Sequence, residues 1–260
     1  MIRRASLVVA ALAVLAVGLP SSVSGSSLTA ITRSAAAMRT ASRDRIQAFV
    51  IGQSVLGRQI VAYRTGTEGG RVALVIGNTH GDEPKGVDVT RALRLIGAPA
   101  GIDLWIVDTI NPDGLADNTR TNHRGVDLNR NFSWNWGYIA ASSTNDQYSG
   151  EAPADQPETQ AIQNLITLIR PQITIWYHQD ANRVSVGGQR PEIPREYARL
   201  VGQVVADTPC TAGCTGTGTQ FANHTVASGT AFLVELPDSA SVTPSVVELH
   251  AEAVLSVLML

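Results

Sequence analysis

"RVALVIGNTHGDEPKG", residues 71 to 86, decides how the rest of the chain is read. Arg71 to Ile76 is a short, largely β-branched and aliphatic run, which predicts a buried strand. Gly77, Asn78 and Gly81 supply the turn chemistry needed after it. A turn does not need His80, Asp82 and Glu83. Val87 to Ile96 then repeats its apolar residues at helical spacing, and Gly97 and Pro99 stop it. The stretch is therefore strand, polar turn, helix, with chemistry-bearing side chains gathered in the turn.

The same alternation runs outward in both directions. Phe49 to Gly52 and Arg58 to Tyr63 flank a glycine-bearing turn and predict a hairpin. Asp103 to Thr109, Ile173 to Tyr177 and Ala231 to Leu236 read as strands. Pro157 to Ile169 reads as a helix with proline in its first turn, Pro194 to Ala206 as another, and Pro244 to Leu260 as a largely apolar closing helix. Strands alternating with helices predict a single α/β domain on a mostly parallel sheet. Residues 111–157 read as one long loop-rich region, and its Phe132, Trp134, Trp136 and Tyr138 argue that it is ordered.

The composition, 44% hydrophobic and 16% charged, is that of a folded globular chain. A net charge of -2 without a basic patch speaks against nucleic acid as a partner. Residues 1–25 have the arginine-bearing start, short apolar core and small polar end of a secretory signal peptide, with cleavage expected near Ser24 to Ser27. Residues 26–45 read as a tether or short helix, and residues 46–260 as the folded domain. No later run is long and apolar enough to span a membrane, so the expected location is secreted, extracellular or cell-wall associated. Export makes a local disulfide between Cys210 and Cys214 the expected state of the two cysteines.

In α/β sheets, ligands collect outside the carboxyl ends of the strands. His80 and Glu83, Asn111 to Gly114, His178, and Glu235 fall at such ends. A catalytic zinc takes three protein ligands and keeps one position open. His80, Glu83 and His178 supply a two-histidine, one-glutamate set for one zinc per chain, and Glu235 is the spare carboxylate that would move a proton from the attacking water to the leaving amine. Each alone has a bland reading: His-x-x-Glu is common, a strand-end histidine is usually structural, and a strand-end glutamate is usually solvated. Their joint placement points to a metal site. His123 lacks such placement, His250 is expected on the surface, and His224, in a loop, is the substitute ligand should His178 not serve. The stretch from Arg120 to Phe132 gathers three arginines. Asn129 and Arg130 suit a free C-terminal carboxylate, and another arginine near the zinc would hold an oxyanion.

"IGQSVLGRQI" (51–60), "HGDE" (80–83), "NPDG" (111–114), "GVDLNRNF" (125–132), "PETQAI" (157–162), "WYHQD" (176–180) and "FLVELP" (232–237) follow one another in an order that resembles the M14 family of zinc carboxypeptidases. The resemblance covers most of residues 46–240. It implies a mixed, twisted sheet of about eight strands with helices on both faces, forming a catalytic domain over residues 46–260. It makes His80, Glu83 and His178 the zinc ligands and Glu235 the general base and acid. Asn129 and Arg130 become the carboxylate grip, and Arg120, ahead of Arg124, becomes the oxyanion arginine.

Three departures bear on specificity. Asp82 stands where digestive carboxypeptidases carry arginine. In this it resembles the small bacterial murein-peptide amidases, which release meso-diaminopimelate from L-Ala-γ-D-Glu-meso-diaminopimelate, and an acid there can receive an amino group. Residues 207–219 contain no tyrosine to match the family's mobile one. The specificity-pocket position falls near Gln220. The expected partner is a peptide or murein peptide with a free C-terminal carboxylate. A scavenging carboxypeptidase and an acyl-amino-acid hydrolase of the desuccinylase and aspartoacylase type are the enzymatic alternatives; "NPDG" and the leader weigh against the latter. A wall-binding homologue with a dead site is the alternative of another class, and the retention of His80, Glu83, His178 and Glu235 weighs against it.

Overall fold

The polar turn after Ile76 lies over the middle of an eight-stranded mixed sheet. The computed structural model describes residues 46–142, 144, 146–206 and 214–260. The expected signal peptide, the tether and Cys210, with its expected bond to Cys214, lie outside the described residues.

The strands are β1 (Gln47–Gln53), β2 (Gln59–Gly66), β3 (Arg71–Ile76), β4 (Ile102–Val107), β5 (Ile173–Gln179), β6 (Arg183–Ser185), β7 (Val204–Ala206) and β8 (Thr230–Leu236). Their order across the sheet is β1-β2-β4-β3-β5-β8-β6-β7. Strands β4, β3, β5 and β8 are mutually parallel and form the centre. The hairpin β1–β2 adds antiparallel strands at one margin, and β6 runs antiparallel to β8 at the other. The mostly parallel expectation therefore holds for the centre, and the mixed sheet implied by the resemblance holds for the whole. Strands β6 and β7 have three residues each, too few to show an alternation in sequence.

The helices are α1 (Lys85–Ile96), α2 (Pro112–Asp117), α3 (Pro157–Ile169), α4 (Glu192–Val201), α5 (Gly218–Thr225) and α6 (Pro244–Val257). Helices α1, α4 and α6 cover one face, where Val75, Ile106, Ile175, Phe232 and Val234 are buried. Helices α3 and α5, with Leu128 and Phe132, cover the other, over Leu74, Ile76, Trp176 and Ala231. This split follows from the pleat, because neighbouring residues of a strand face opposite sides. Strands buried on both faces are also why the central runs read as continuously apolar.

One expectation gains detail and two need correction. The loop over residues 111–157 contains α2, capped by Asn111 through Gly114 N–H, and a 3-10 turn at Leu128–Arg130. The helix expected from Pro194 to Ala206 starts at Glu192 and ends at Val201; Gly202 takes φ 69°, which favours glycine, and β7 follows. His250 is buried, 2% exposed, because α6 packs against α1 and α4.

Close backbone approach sets where the turn sits. A Cβ on Gly86, in the first turn of α1, would collide with the Gly77 carbonyl and Tyr177 Cβ. A Cβ on Gly81 would collide with the Gly114 backbone. The two glycines let α1 lie on the strand ends and let the turn at residues 80–83 touch the start of α2.

Behind the sheet, Tyr177 and Tyr197 hydroxyls are 2.7 Å apart, and Tyr197 Oη lies 2.7 Å from His250 Nδ1. Burial holds the His250 pKa down to about 4. The ring stays neutral when folded, whereas an unfolded histidine protonates near 6.5, so its contribution is complete above 6.5 and is lost as pH falls toward 4. The loss is about 1.4 kcal/mol per unit, about 3 kcal/mol over that window. Urea unfolding at pH values from 7 to 4.5 should therefore give a smaller acid slope for His250→Gln than for the wild type. Equal slopes would show that His250 does not carry the effect.

Candidate metal centre

Asn78 builds the turn. Its buried amide nitrogen donates to the His80 carbonyl at 2.5 Å and to the Glu83 carbonyl at 3.1 Å. Its Oδ1 accepts from Thr109 Oγ1 at 2.6 Å, which ties the turn to the end of β4. The Glu83 N–H donates to the His80 carbonyl at 3.0 Å and closes the bend that puts both side chains on one side. His178 comes from the penultimate position of β5, on the same face as Trp176.

These three side chains converge. Their ligating atoms lie within 4.8 Å of one another, and all three residues are buried. His80 Nδ1 is 2.8 Å from Glu83 Oε1, His178 Nδ1 is 2.8 Å from Glu83 Oε2, and the two Nδ1 atoms are 3.1 Å apart. A tetrahedral ion with bonds of about 2.1 Å would space its ligand atoms by about 3.4 Å. The set thus fits zinc in atom type, number and spacing. It also aims both Nδ1 atoms at one carboxylate, a convergence that a cation relieves.

Behind the set stands a residue that reading by motif passed over. Asp127 has no exposed surface; its Oδ1 lies 3.0 Å from His80 Nε2, and its Oδ2 accepts from Arg120 Nη2 at 2.9 Å. Burial works against ionisation of Asp127, yet the charges and hydrogen bonds of His80 and Arg120 hold its carboxyl well below the usual range. Burial likewise works against a charged His80, and Asp127 and Glu83 overcome it, raising the ring to about 9. Burial would raise Glu83 too, but its contacts with His178 and His80 bring it far down. "GVDLNRNF" contained this aspartate, and only a contact 47 positions away gives it a role.

Arg120 Nη1 reaches Glu83 Oε1 at 3.3 Å, which sets this guanidinium beside the candidate ligands; Arg124 is exposed. Burial lowers the Arg120 pKa, and the nearby carboxylates, Asp127 first and then Glu83 and Asp146, turn this into a net rise. Asn129 N–H donates to Asp127 Oδ1 at 2.8 Å, and its Oδ1 accepts from Gly218 N–H at 3.0 Å, so its side chain presents the NH2 group as donor. Arg130 Nη1 donates to the Asn129 carbonyl at 2.9 Å, and its buried Nε has no hydrogen-bond partner among the described residues. Burial lowers the Arg130 pKa.

Glu235 is the register partner of His178 on β8. Partners in a ladder face the same side, so the carboxylate stands next to the ligand set. Its buried Oε2 has no hydrogen-bond partner among the described residues. Asp82 is exposed, and burial followed by the Glu83 charge raises its pKa. His224 is in α5 rather than in a loop and stacks on Trp134, with ring centroids 3.3 Å apart, so it does not replace His178. Gln220 caps the Cys214 carbonyl through Nε2 at 3.0 Å.

Removal of the Asp127 charge should loosen the site without unmaking the fold. Second partners of metal-bound histidines are typically worth 10–100-fold in affinity. Asp127→Asn should therefore weaken zinc binding by about 10–100-fold in a chelator competition. Unchanged affinity would mean that the His80 contact does not orient the ring for metal.

The sequence model of the family described as zinc carboxypeptidase, Peptidase_M14, matches residues 100–231. That segment holds Arg120, Asn129, Arg130 and His178; the fold brings His80, Glu83 and Glu235 to it from outside. Murein peptide amidase A of Escherichia coli strain K12 is 33% identical over 138 residues, which cover 49% of this chain and 57% of that protein. The protein of that name from Vibrio campbellii is 30% identical over 139 residues, 49% of this chain and 56% of the relative. The matches thus span a little over half the length of these relatives. Among solved structures, murein-tripeptide amidase from E. coli O157 superposes with TM-score 0.68 at 22% identity, covering 83% of this chain and 95% of that one. Carboxypeptidase A from Helicoverpa armigera gives TM-score 0.70 at 20% identity, covering 91% and 71%. With its family segment, its fold and its His-Glu-His cluster in agreement, the chain belongs to the M14 zinc carboxypeptidase family.

Proposed function

We propose that this chain is an exported metallocarboxypeptidase that hydrolyses the last amide bond of a murein peptide and releases diaminopimelate. The observation that carries the hydrolytic part is the convergence of His80, Glu83 and His178 beside Glu235. The first three would hold one zinc ion. When bound, zinc supplies Lewis-acid polarisation of the scissile carbonyl and makes the attacking water more acidic.

The chain's own groups do the rest. The Asn129 amide and the Arg130 guanidinium hold the terminal carboxylate, a planar acceptor suited to forked donors. That grip fixes the scissile bond against the ligand set. Arg120, 3.3 Å from Glu83 Oε1, donates to the carbonyl oxygen as negative charge develops there. The free Oε2 of Glu235 takes a proton from the attacking water. As the carbon–nitrogen bond breaks, Glu235 passes that proton to the leaving nitrogen, which departs as an amine. Asp82 receives the second amino group of diaminopimelate. The murein substrate is supported by Asp82 and by the names of the relatives at 33% and 30% identity. Export is supported by the leader-like residues 1–25, and the oxidising destination would allow the Cys210–Cys214 bond.

The test is the chain without residues 1–27, its zinc content, and two substrates: L-Ala-γ-D-Glu-meso-diaminopimelate and a panel of ordinary peptides with free C-termini. About one zinc per chain and release of diaminopimelate alone are expected. Glu235→Gln should retain zinc and lose turnover by at least about 100-fold. Release of ordinary C-terminal residues instead would make it a scavenging carboxypeptidase. No zinc and no turnover would leave an inactive homologue.

Asp82→Asn separates the specificity claim from the chemistry. It should lower kcat/KM for the diaminopimelate peptide by about tenfold relative to the same peptide ending in alanine. An unchanged ratio would remove Asp82 from substrate recognition.

A further inference from the structure

A third residue shares the row that holds His178 and Glu235. Across β5, β8 and β6, His178 is paired with Glu235, and Glu235 with Arg183. Neighbouring strands lie about 4.8 Å apart, so Arg183 is one strand beyond the candidate general base. Residues at one register point to one face. The phase is confirmed by the next pair, Val184 and Val234, both fully buried on the opposite face. Arg183 is exposed and takes part in no ion pair or hydrogen bond of its side chain among the described residues.

The other two arginines of the site are engaged. Arg120 is held by Asp127 and Glu83, and Arg130 by the Asn129 carbonyl and Gln147. A guanidinium beside a general base would disarm the base by pairing with it. Here Glu235 Oε2 stays unpaired, so the Arg183 fork is left for something else. A free cation at the mouth of a site that already grips one carboxylate fits a second one.

We infer that Arg183 binds a second carboxylate of the substrate, beyond the terminal one held by Asn129 and Arg130. The substrate class is thus a C-terminal dicarboxylic peptide. This rests on the carboxypeptidase reading above and narrows it. A γ-D-Glu-diaminopimelate peptide offers two such groups: the distal carboxylate of the released residue and the free α-carboxylate of the γ-linked acyl residue.

Three substrates distinguish the two. One is L-Ala-γ-D-Glu-meso-diaminopimelate. The second ends in L-lysine and lacks the distal carboxylate. The third has the α-carboxylate of the γ-linked residue converted to its amide. The wild type should prefer the first over at least one of the others. Arg183→Met should reduce that preference, as a ratio of kcat/KM values, by about tenfold, and Arg183→Lys should restore part of it. Loss of the preference over the lysine peptide assigns Arg183 to the released residue; loss over the amide assigns it to the acyl residue. Both ratios unchanged in Arg183→Met, with wild-type turnover intact, would overturn the inference alone. No wild-type cleavage of any of the three would overturn the carboxypeptidase reading and the inference together.

Discussion

Asp127 is buried without exposed surface, and three segments share its negative charge. His80 from the turn after β3, Arg120 from the long loop and the Asn129 N–H from the 3-10 turn all meet it. A buried carboxylate is costly unless it is paired and hydrogen-bonded. Its partners therefore cannot drift independently: to move one is to leave a charge unpaired in a place closed to water. His80, Arg120 and Asn129 are thus all positioned by a single side chain. The loop over residues 111–157 has little regular structure; buried amides such as Asn122 and Asn131 shape it, and the Asp127 charge ties it to the turn after β3.

The sheet does the remaining placement. Its central strands are parallel, so their carboxyl ends open on one edge, and His178 and Glu235 arrive there as register partners. The antiparallel β6 then turns back along β8, so its first residue, not its last, meets that edge. A purely parallel sheet would have put the far end of the next strand there. The mixed topology thus contributes Arg183 to the row, and the antiparallel hairpin β1–β2 serves the opposite margin. There Ser54, Leu56 and Arg58 all bond to Asp113, which docks the hairpin turn on the first turn of α2.

What could be read from sequence followed from periodicity and from residue chemistry at strand ends. Arg71 to Ile76, Ile173 to Tyr177 and Ala231 to Leu236 announced themselves as buried strands, and His80, Glu83, His178 and Glu235 stood out as polar residues where such strands stop. What escaped depended on distance or on shortness. Asp127 meets His80 across 47 positions, and Asn78, legible as a turn residue, meets Thr109 across 31; no local pattern reveals either contact. Strands β6 and β7 are too short for a period. A polar ring on a helix suggests solvent, which is why the sequence alone points His250 to the surface while the structure buries it. The helix around it is apolar on more than one side, and Ala251, Ala253, Val254 and Val257 are buried with it.

Strand β5 shows how two unlike environments can share one backbone. Tyr177 and His178 are adjacent, so the pleat sends them to opposite faces. On the closed face, Tyr177, Tyr197 and His250 form a buried chain of hydroxyls and one imidazole; burial pushes the Tyr177 hydroxyl up and His250 down, so every member stays neutral. On the other face, His178 faces Glu83, whose own contacts keep it ionised. A neutral network costs little to bury and holds the strand in register. The charged network is the expensive one, and it lies where an ion can compensate it. Trp176, packed edge-on against Phe132, anchors the ligand face as well, so β5 is held from both sides and His178 is placed at the end of a strand that cannot shift.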